Sequence, residues 1–517
     1  MSNFSSSQTW RLSAIVLFCL ASCSHVFSQL ESSKWTFGHG AALDFSKGSP
    51  QVICGTKIFT SEGCASISDS KGNLLFYTDG ITIWDRRSKP MPHASGLKGH
   101  LSSTQSAVIV PAPGKSEIYY VFTLDSEANK GGFCYSLVDM IQNNGWGDVV
   151  EKNHQIKELC TERIVAVRHA NGKDIWVIIH EYNSDAFVAY LLTDNGLAER
   201  AVVSNIGFEY KKSIFSTIGY MKISSDKKMI AVAINGERML QLFRFNTETG
   251  ILSGCITLKM FGGNTPYGVE FSPDNKLLYV STVKTGEIFQ LDVEHFNEED
   301  IQKSMMLIGQ SKNKRNLGAL QLAADGRIYV AEYQSKYISA INFPDIRGVG
   351  CEFTSFSVPL GEGMSMFGLP TFFQDYVKPL KMNRVQRFNP LNVRPGVRYV
   401  LDNVHFDFDK ILINDSSAVE LDKLADILKK NKNYVLEVTG HTDSLGTEHY
   451  NNKLSQWRAS AIGDFLVKHG VVRQRITCIG RGSKEPLEEN ADEAGRHENR
   501  RVEIVLTDLP SKSDNEK

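Results

Sequence analysis

Residues 453–466 read KLSQWRASAIGDFL, a helical pattern that carries a contradiction. At 3.6 residues per turn, Leu454, Ile462 and Phe465/Leu466 share one face. Arg458 falls on the same face, four residues after Leu454 and four before Ile462. A permanent cation on an apolar stripe must snorkel to water or meet an anion, because burying it unpaired costs several kcal/mol.

The flanking sequence builds a compact α/β unit around this helix, with YVLEVTG (Tyr434 on) read as a strand before it. NVHFDFDK (Asn403 on) alternates like a strand. SSAVELDKLADILKKN (Ser416 on) has a serine N-cap and an expected apolar stripe at Val419, Leu421, Leu424 and Ile427/Leu428. HTDSLGTEHYNN is a polar loop leading into the helix of the opening stretch, which Gly470 ends as a C-cap glycine. ITCIGRG (Ile476 on) and RRVEIVL (Arg500 on) read as strands, with SKEPLEENADEAGRHEN expected as a polar loop between them. The expected order is β-α-β-α-β-β over residues 400–507, an α+β domain followed by a frayed tail at 508–517.

The motifs VTGHTDSLG, NNKLSQWRA, GRG and ENRRVEI, with FDFDK at the start, resemble the outer-membrane protein A-like domain that binds peptidoglycan. The resemblance covers about a fifth of the chain. It implies that Asp443 and Arg458 grip the free end of a diaminopimelate side chain in the peptide stem. Asp443 would accept from the ammonium and Arg458 would fork onto the carboxylate, which the paired planar donors of Arg do better than Lys. Asp443 would also balance the charge of Arg458 in the empty site. The same resemblance gives supporting places to Thr442 (orienting the loop), to Asn451 (bonding the loop backbone or the ligand), and to Asp407 and Phe408 (bordering the pocket). Asn499 and Arg501 are expected to hold the last strand and the polar face of the domain. Trp457 is assigned no role.

Upstream, one pattern recurs from about Glu31 to Tyr376: a strand, a polar turn, then a strand rich in aromatic and β-branched residues. Instances include SISDSKGNLLFYTDG (Ser66 on), AVRHANGKDIWVIIH (Ala166 on), VEFSPDNKLLYVST (Val269 on) and LQLAADGRIYVAE (Leu320 on). The step is roughly 40–58 residues, as in propeller blades. The recurrence of Asp226, Asp274 and Asp325 is explained by turn geometry. YGVEFSPDNKLLYVS resembles WD-repeat and lactonase-like propellers. The expected fold is an all-β propeller of seven blades over residues 29–376, with KWTFGHGAALDFS (Lys34 on) and MFGLPTFFQDY (Met366 on) sharing the last blade to close the ring. EGCASISDSKGNLLFYTDGITIWDR (Glu62 on) resembles a block common in secreted proteins of the Bacteroidetes. Residues 377–399, basic and proline-containing, read as a linker.

The chain has 517 residues and a formal net charge of -1, so charge gives no reason to expect nucleic acid as a partner. Residues 1–28 read as a targeting signal: Arg11 precedes the short apolar run LSAIVLFCLAS. Two processing readings stay open. LASC (Leu20 to Cys23) resembles a lipobox, which would make Cys23 the lipidated residue and the outer membrane a partner. VFSQ (Val26 on) suits ordinary cleavage after Ser28. Either way the mature chain leaves the cytoplasm, with a place at the periplasmic face of the outer membrane expected. Seven of the 9 cysteines follow the signal, scattered, with Cys54–Cys64 the closest pair for a disulfide. No metal-ligand cluster and no catalytic motif stands out, and no cofactor is expected. His93, His100, His169 and His180 are read as structural or surface residues.

The functional expectation is a non-catalytic envelope anchor: peptidoglycan on the C-terminal domain, an envelope protein on the propeller. Proteins combining a lipid anchor, a propeller and this domain resemble components that fasten type IX secretion and gliding machinery to the wall. Two alternatives stand beside it. The propeller could be a lactonase-like or glycan-acting hydrolase localised to the wall, which converging carboxylates, histidines or a metal would favour. It could instead be a receptor for carbohydrate or exported substrate, which aromatic residues at one mouth would favour.

Overall fold

The computed structural model describes residues 30–210, 213–260, 262, 264–312, 314–378, 386–388, 390, 393, 398–401, 415–487, 490 and 493–508. Cys23, Asp407 and Phe408, the strand expected from Asn403 and the signal at 1–28 lie outside them.

Seven antiparallel sheets follow one another along the chain, spanning 34–52, 65–95, 107–157, 160–205, 221–259, 265–310 and 317–359. Most have four strands paired in chain order. The first strand of each is buried on both faces, as Thr265–Phe271 and Leu317–Leu322 show, while last strands such as Met306–Gln310 are half exposed. This gradient explains the sequence. Apolar runs become first strands because they lose both faces to neighbours, and alternating runs become outer strands. First strands of successive sheets lie side by side. The first sheet also packs on the last, with Trp35 and Phe45 5.8 and 5.1 Å from the Tyr329 ring.

The turns repeat one chemistry. Ser272 Oγ accepts from Leu277 N at 2.9 Å and bonds Asp274 Oδ1 at 2.6 Å, with Asn275 at φ 62°. Ser224, Asp226 and Lys227 (φ 65°) do the same one sheet earlier. Asp325 accepts from Arg327 N at 3.0 Å beside Gly326 at φ 72°. A side-chain acceptor thus holds each reversal while one residue takes the left-handed region.

Three expectations change here. MFGLPTFFQDY does not complete the last sheet as a strand. It crosses the first strands instead, through isolated bridges Cys64↔Pro370 and Ile109↔Phe372 and the bond from Ala319 N to Phe367 O at 2.7 Å. Its prolines and glycines suit a path with few ladder bonds. All seven described cysteines are free thiols, Cys54 exposed and Cys64 buried, so the Cys54–Cys64 pair does not form a disulfide. Within 377–399, expected as a linker, Gln386–Arg387 pairs with the C-terminal sheet, and Phe388 and Tyr399 enter that sheet's core.

The C-terminal elements are β1 (Arg398–Val400), α1 (Asp415–Lys430), β2 (Tyr434–Gly440), α2 (Glu448–Lys468), β3 (Ile476–Gly480), α3 (Glu493–Asn499) and β4 (Val502–Asp508). The sheet order is Gln386–Arg387, β1, β4, β2, β3. β4 runs antiparallel between β1 and β2, and β2 pairs parallel with β3. Leu421, Leu424 and Leu428 of α1 meet Leu436, Val438, Ile504 and Leu506 of the sheet and Ile462 and Leu466 of α2. Val419 is 58% exposed, not part of the α1 stripe, because residues at positions i and i+2 of a helix stand about 200° apart and Leu421 takes the core side. α3 occupies part of the expected polar loop. Its Arg496 pairs with Glu493 one turn earlier, which favours a helix where no apolar periodicity announced one.

Candidate functional site

β2 alternates inward at Leu436 and Val438 and ends at Gly440. A Cβ at Gly440 would lie 2.2 Å from the Ser455 carbonyl oxygen on α2, so only glycine lets the strand end meet the helix this closely. The chain then leaves the sheet as His441, Thr442 and Asp443, directly over the middle of α2.

α2 starts at an N-cap, Thr447, whose hydroxyl accepts from Tyr450 N at 3.3 Å. It ends in a Schellman closure: Val471 N bonds Leu466 O and Gly470 N bonds Val467 O, both at 3.0 Å, with Gly470 at φ 93°. Its buried face carries Asn451, Leu454, Ser455, Arg458, Ala459, Ile462 and Leu466. Arg458 is therefore on the apolar stripe and 1% exposed.

A pocket of about 70 Å³ opens between this loop and helix. Thr442, Asp443, Asn451 and Arg458 all line it, together with Leu445, Tyr450 and Arg500. The four expected residues that are described are thus brought together. Asn451 Nδ2 donates to the Asp443 carbonyl at 3.3 Å, and Thr442 N donates to Gly482 O at 3.0 Å, so both fix the loop. Asp443 is 4% exposed, and its Oδ1 accepts from Leu445 N at 3.0 Å.

The ion pair of Asp443 differs from expectation. Its Oδ2 accepts from Arg500 Nη1 at 2.8 Å, so Arg500 supplies the charge balance. Arg500 also pairs with Glu493 of α3 at 2.6 Å. Burial works against the Arg500 cation, but its bonds to Asp443 and Glu493 outweigh this and hold its pKa above the usual value. The described lining brings the guanidiniums of Arg458 and Arg500 and the carboxylate of Asp443 to one pocket, groups that can bond charged ends of a ligand. The sequence reading passed over Arg500 in ENRRVEI, although the arginine doublet before a strand was its available signal.

The neighbouring Arg501 and Asn499 turn elsewhere. Arg501 Nε donates to Glu503 Oε1 at 2.7 Å, Arg398 donates to Glu503 Oε2 at 3.0 Å, and His441 Nε2 lies 3.4 Å from the same carboxylate. Burial would raise the Glu503 pKa, but His441 and Arg501 outweigh it and bring it to about 2. Asn499 is buried and accepts from Leu487 N at 2.7 Å. Both residues brace β4 and its approach.

Elsewhere, His180 is buried between the Phe187 and Tyr210 rings, at 4.5 and 4.2 Å, and burial lowers its pKa. His93 is exposed beside Asp148, and His169 bonds the Glu248 carbonyl. Among the described residues no cluster of His, Cys, Asp and Glu could hold a metal ion.

Residues 405–500 match the OmpA family. Outer membrane porin F of Pseudomonas fluorescens is 49% identical over 110 residues, covering 21% of this chain and 33% of its own. Peptidoglycan-binding protein ArfA of Mycobacterium tuberculosis is 42% identical over 86 residues, 17% of this chain and 26% of its own. The chain thus spans a third or less of the length of these relatives. The crystal structure of the peptidoglycan-associated lipoprotein from Burkholderia pseudomallei aligns at 31% identity with a TM-score of 0.21, covering 23% of this chain and all of that one. The C-terminal region is an OmpA-family domain joined to a mostly β N-terminal region.

Proposed function

We propose that this chain is a non-catalytic anchor of the cell envelope that holds peptidoglycan through its C-terminal domain. One observation carries the reading: Asp443 and Arg458 line a single pocket in an OmpA-family domain. The ligand is the free end of a diaminopimelate side chain, an ammonium beside a carboxylate. Asp443 accepts from the ammonium, Arg458 forks onto the carboxylate, and Arg500 holds Asp443 in place. Thr442 and Asn451 set the loop, and the resemblance in sequence gives Asp407 and Phe408 places beside the ligand. A relative named for peptidoglycan binding supports the ligand class.

The seven N-terminal sheets are read as a seven-bladed propeller, a platform for an envelope protein. The support is the adjacency of successive first strands and the packing of Trp35 and Phe45 on Tyr329. Lipidation of Cys23 would tether the chain to the periplasmic face of the outer membrane. A place in type IX secretion or gliding rests on the resemblance in sequence alone.

The test is a pull-down of the full chain with purified diaminopimelate-type peptidoglycan, beside its folded Asp443→Ala and Arg458→Ala variants. Native protein should sediment with the wall and both variants should stay in solution. Binding by both variants would overturn the assignment.

A further inference from the structure

Groups from most of the N-terminal sheets converge where the first strands begin. Glu62 precedes the strand Ala65–Ser68, and Thr104 precedes Ala107–Pro111. Glu162 lies in Cys160–Arg168, Tyr220 precedes Met221–Ile223, and Tyr267 lies in Thr265–Phe271. Phe367 joins them through its bond to Ala319. The approach is tight, since a Cβ on Gly368 would lie 1.7 Å from the Glu62 carbonyl oxygen.

The two carboxyls in this cluster are not equivalent. Glu162 is fully buried and satisfied: Oε2 accepts from Thr104 N and Oγ1 at 2.8 and 2.7 Å, and Oε1 accepts from Glu127 N at 2.8 Å. Glu62 Oε1 accepts from Ser102 Oγ at a long 3.5 Å, the Tyr267 and Thr104 hydroxyls face its carboxyl, and Oε2 is buried with no hydrogen-bond partner among the described residues. The Tyr267 hydroxyl, in a residue 3% exposed, faces the Glu62 carboxyl and is likewise unpartnered. Neither carboxylate has an ion pair among the described residues. The nearby Arg163 gives its Nη2 to the carbonyls of Ser216, Ile218 and Ala233 at 2.9, 2.7 and 2.8 Å, while its Nη1 is buried with no hydrogen-bond partner among the described residues.

Aromatic faces complete the cluster. Tyr220 and Tyr267 rings lie 5.7 Å apart, Tyr267 and Phe367 5.5 Å, and Phe367 stacks on Tyr333 at 4.3 Å. Glu62, Phe367 and Tyr333 are half-buried and Ser102 is exposed, so the cluster lies at the edge of the buried region with Glu62 Oε2 on its inner side. An acid without a countercharge, an idle hydroxyl acceptor and a wall of aromatic faces together describe a receptor for an organic cation.

We propose that Glu62, Tyr267 and the Phe367–Tyr333 stack accept one lysine or arginine side chain of a protein partner. This rests on reading the N-terminal region as a partner platform and supplies the chemistry of the contact. Burial, reinforced by Glu162, raises the Glu62 pKa to about 8, so at neutral pH the entering cation displaces a proton.

The experiment titrates the full chain at pH 7 with Nα-acetyl-lysine methylamide and its arginine analogue. The norleucine analogue, methylamine and calcium chloride serve as separate arms. Calorimetry in two buffers of different ionisation enthalpy reads affinity and proton release. The expected result is saturable binding of a capped cation with proton release, at least tenfold weaker norleucine and methylamine binding, and at least tenfold loss in Glu62→Gln. Glutamine mimics the neutral acid, and Tyr267→Phe, expected to weaken binding, is the second variant should Glu62→Gln melt early. Absence of saturable binding, equal binding of norleucine, unchanged affinity in the folded variants, or preference for calcium would each overturn the proposal. Equal binding of methylamine would overturn the assignment to a peptide side chain. Wall binding is scored separately, so failure here leaves the peptidoglycan reading standing and the reverse.

Discussion

Arg458→Lys separates charge from geometry at the peptidoglycan site. The residue is 1% exposed on the buried face of α2, so its head group cannot swing to water and its reach is set by the helix. A guanidinium there can present two parallel N–H donors to one carboxylate, whereas an ammonium presents a single point charge. A hydrogen bond to a charged group contributes about 1.5–3 kcal/mol. Losing one of the two should weaken binding by about tenfold to a hundredfold, at about 1.4 kcal/mol per decade. Sedimentation of the full chain with diaminopimelate-type peptidoglycan over a concentration series reads this directly, with circular dichroism confirming that the variant is folded. A folded lysine variant that binds within twofold of native protein would refute the bidentate account.

Arg500→Ala strips Asp443 of its ion pair. Arg500 is 14% exposed and its partner 5%, so the loss should fall between that of surface and buried pairs, about 2 kcal/mol in urea unfolding. A double-mutant cycle with Asp443→Asn should recover much of it, and strictly additive losses would show the pair to be idle. Glu503, with its pKa lowered from 4.5 to about 2, contributes stability that is fully present above pH 4.5 and lost as pH falls toward 2. The contribution is about 3 kcal/mol, and Glu503→Gln should flatten that acid limb of the C-terminal unfolding transition. Gly440→Ala places a Cβ against the Ser455 carbonyl and should destabilise the domain by about 3 kcal/mol while displacing the Asp443 loop. An unchanged melting temperature with native wall binding would contradict that packing.

The order β2, loop, α2 was legible because each step has a local cause. Alternating apolar residues make β2, Gly470 ends α2, and Leu454, Ile462 and Leu466 choose its inner face, while the Thr447 cap starts the helix inside the stretch expected as a polar loop. The hairpins upstream were legible for the same reason, since Asp226, Asp274 and Asp325 act on backbone groups a few residues away. Val419 was misplaced through an angle that the helix period itself forbids. α3 was missed because charge pairing within one turn leaves no apolar period to read. The path of Met366–Tyr376 across the first strands of several sheets was beyond local reading, as its partners Cys64, Ile109 and Ala319 are scattered through the chain.

By itself, the sequence determined the upstream hairpins, the course of β2, loop and α2, and that Arg458 is a cation on the apolar face of a helix. Periodicity and capping act over a few residues and so are written in order along the chain. Only the tertiary structure decided which groups meet: Arg500 with Asp443 across 57 residues, and Glu62 with Tyr267 at the head of the first strands. Those encounters depend on the register of β4 against β2 and on which sheets pack side by side. Such pairings are fixed by the burial of whole faces, and no single stretch of chain contains them.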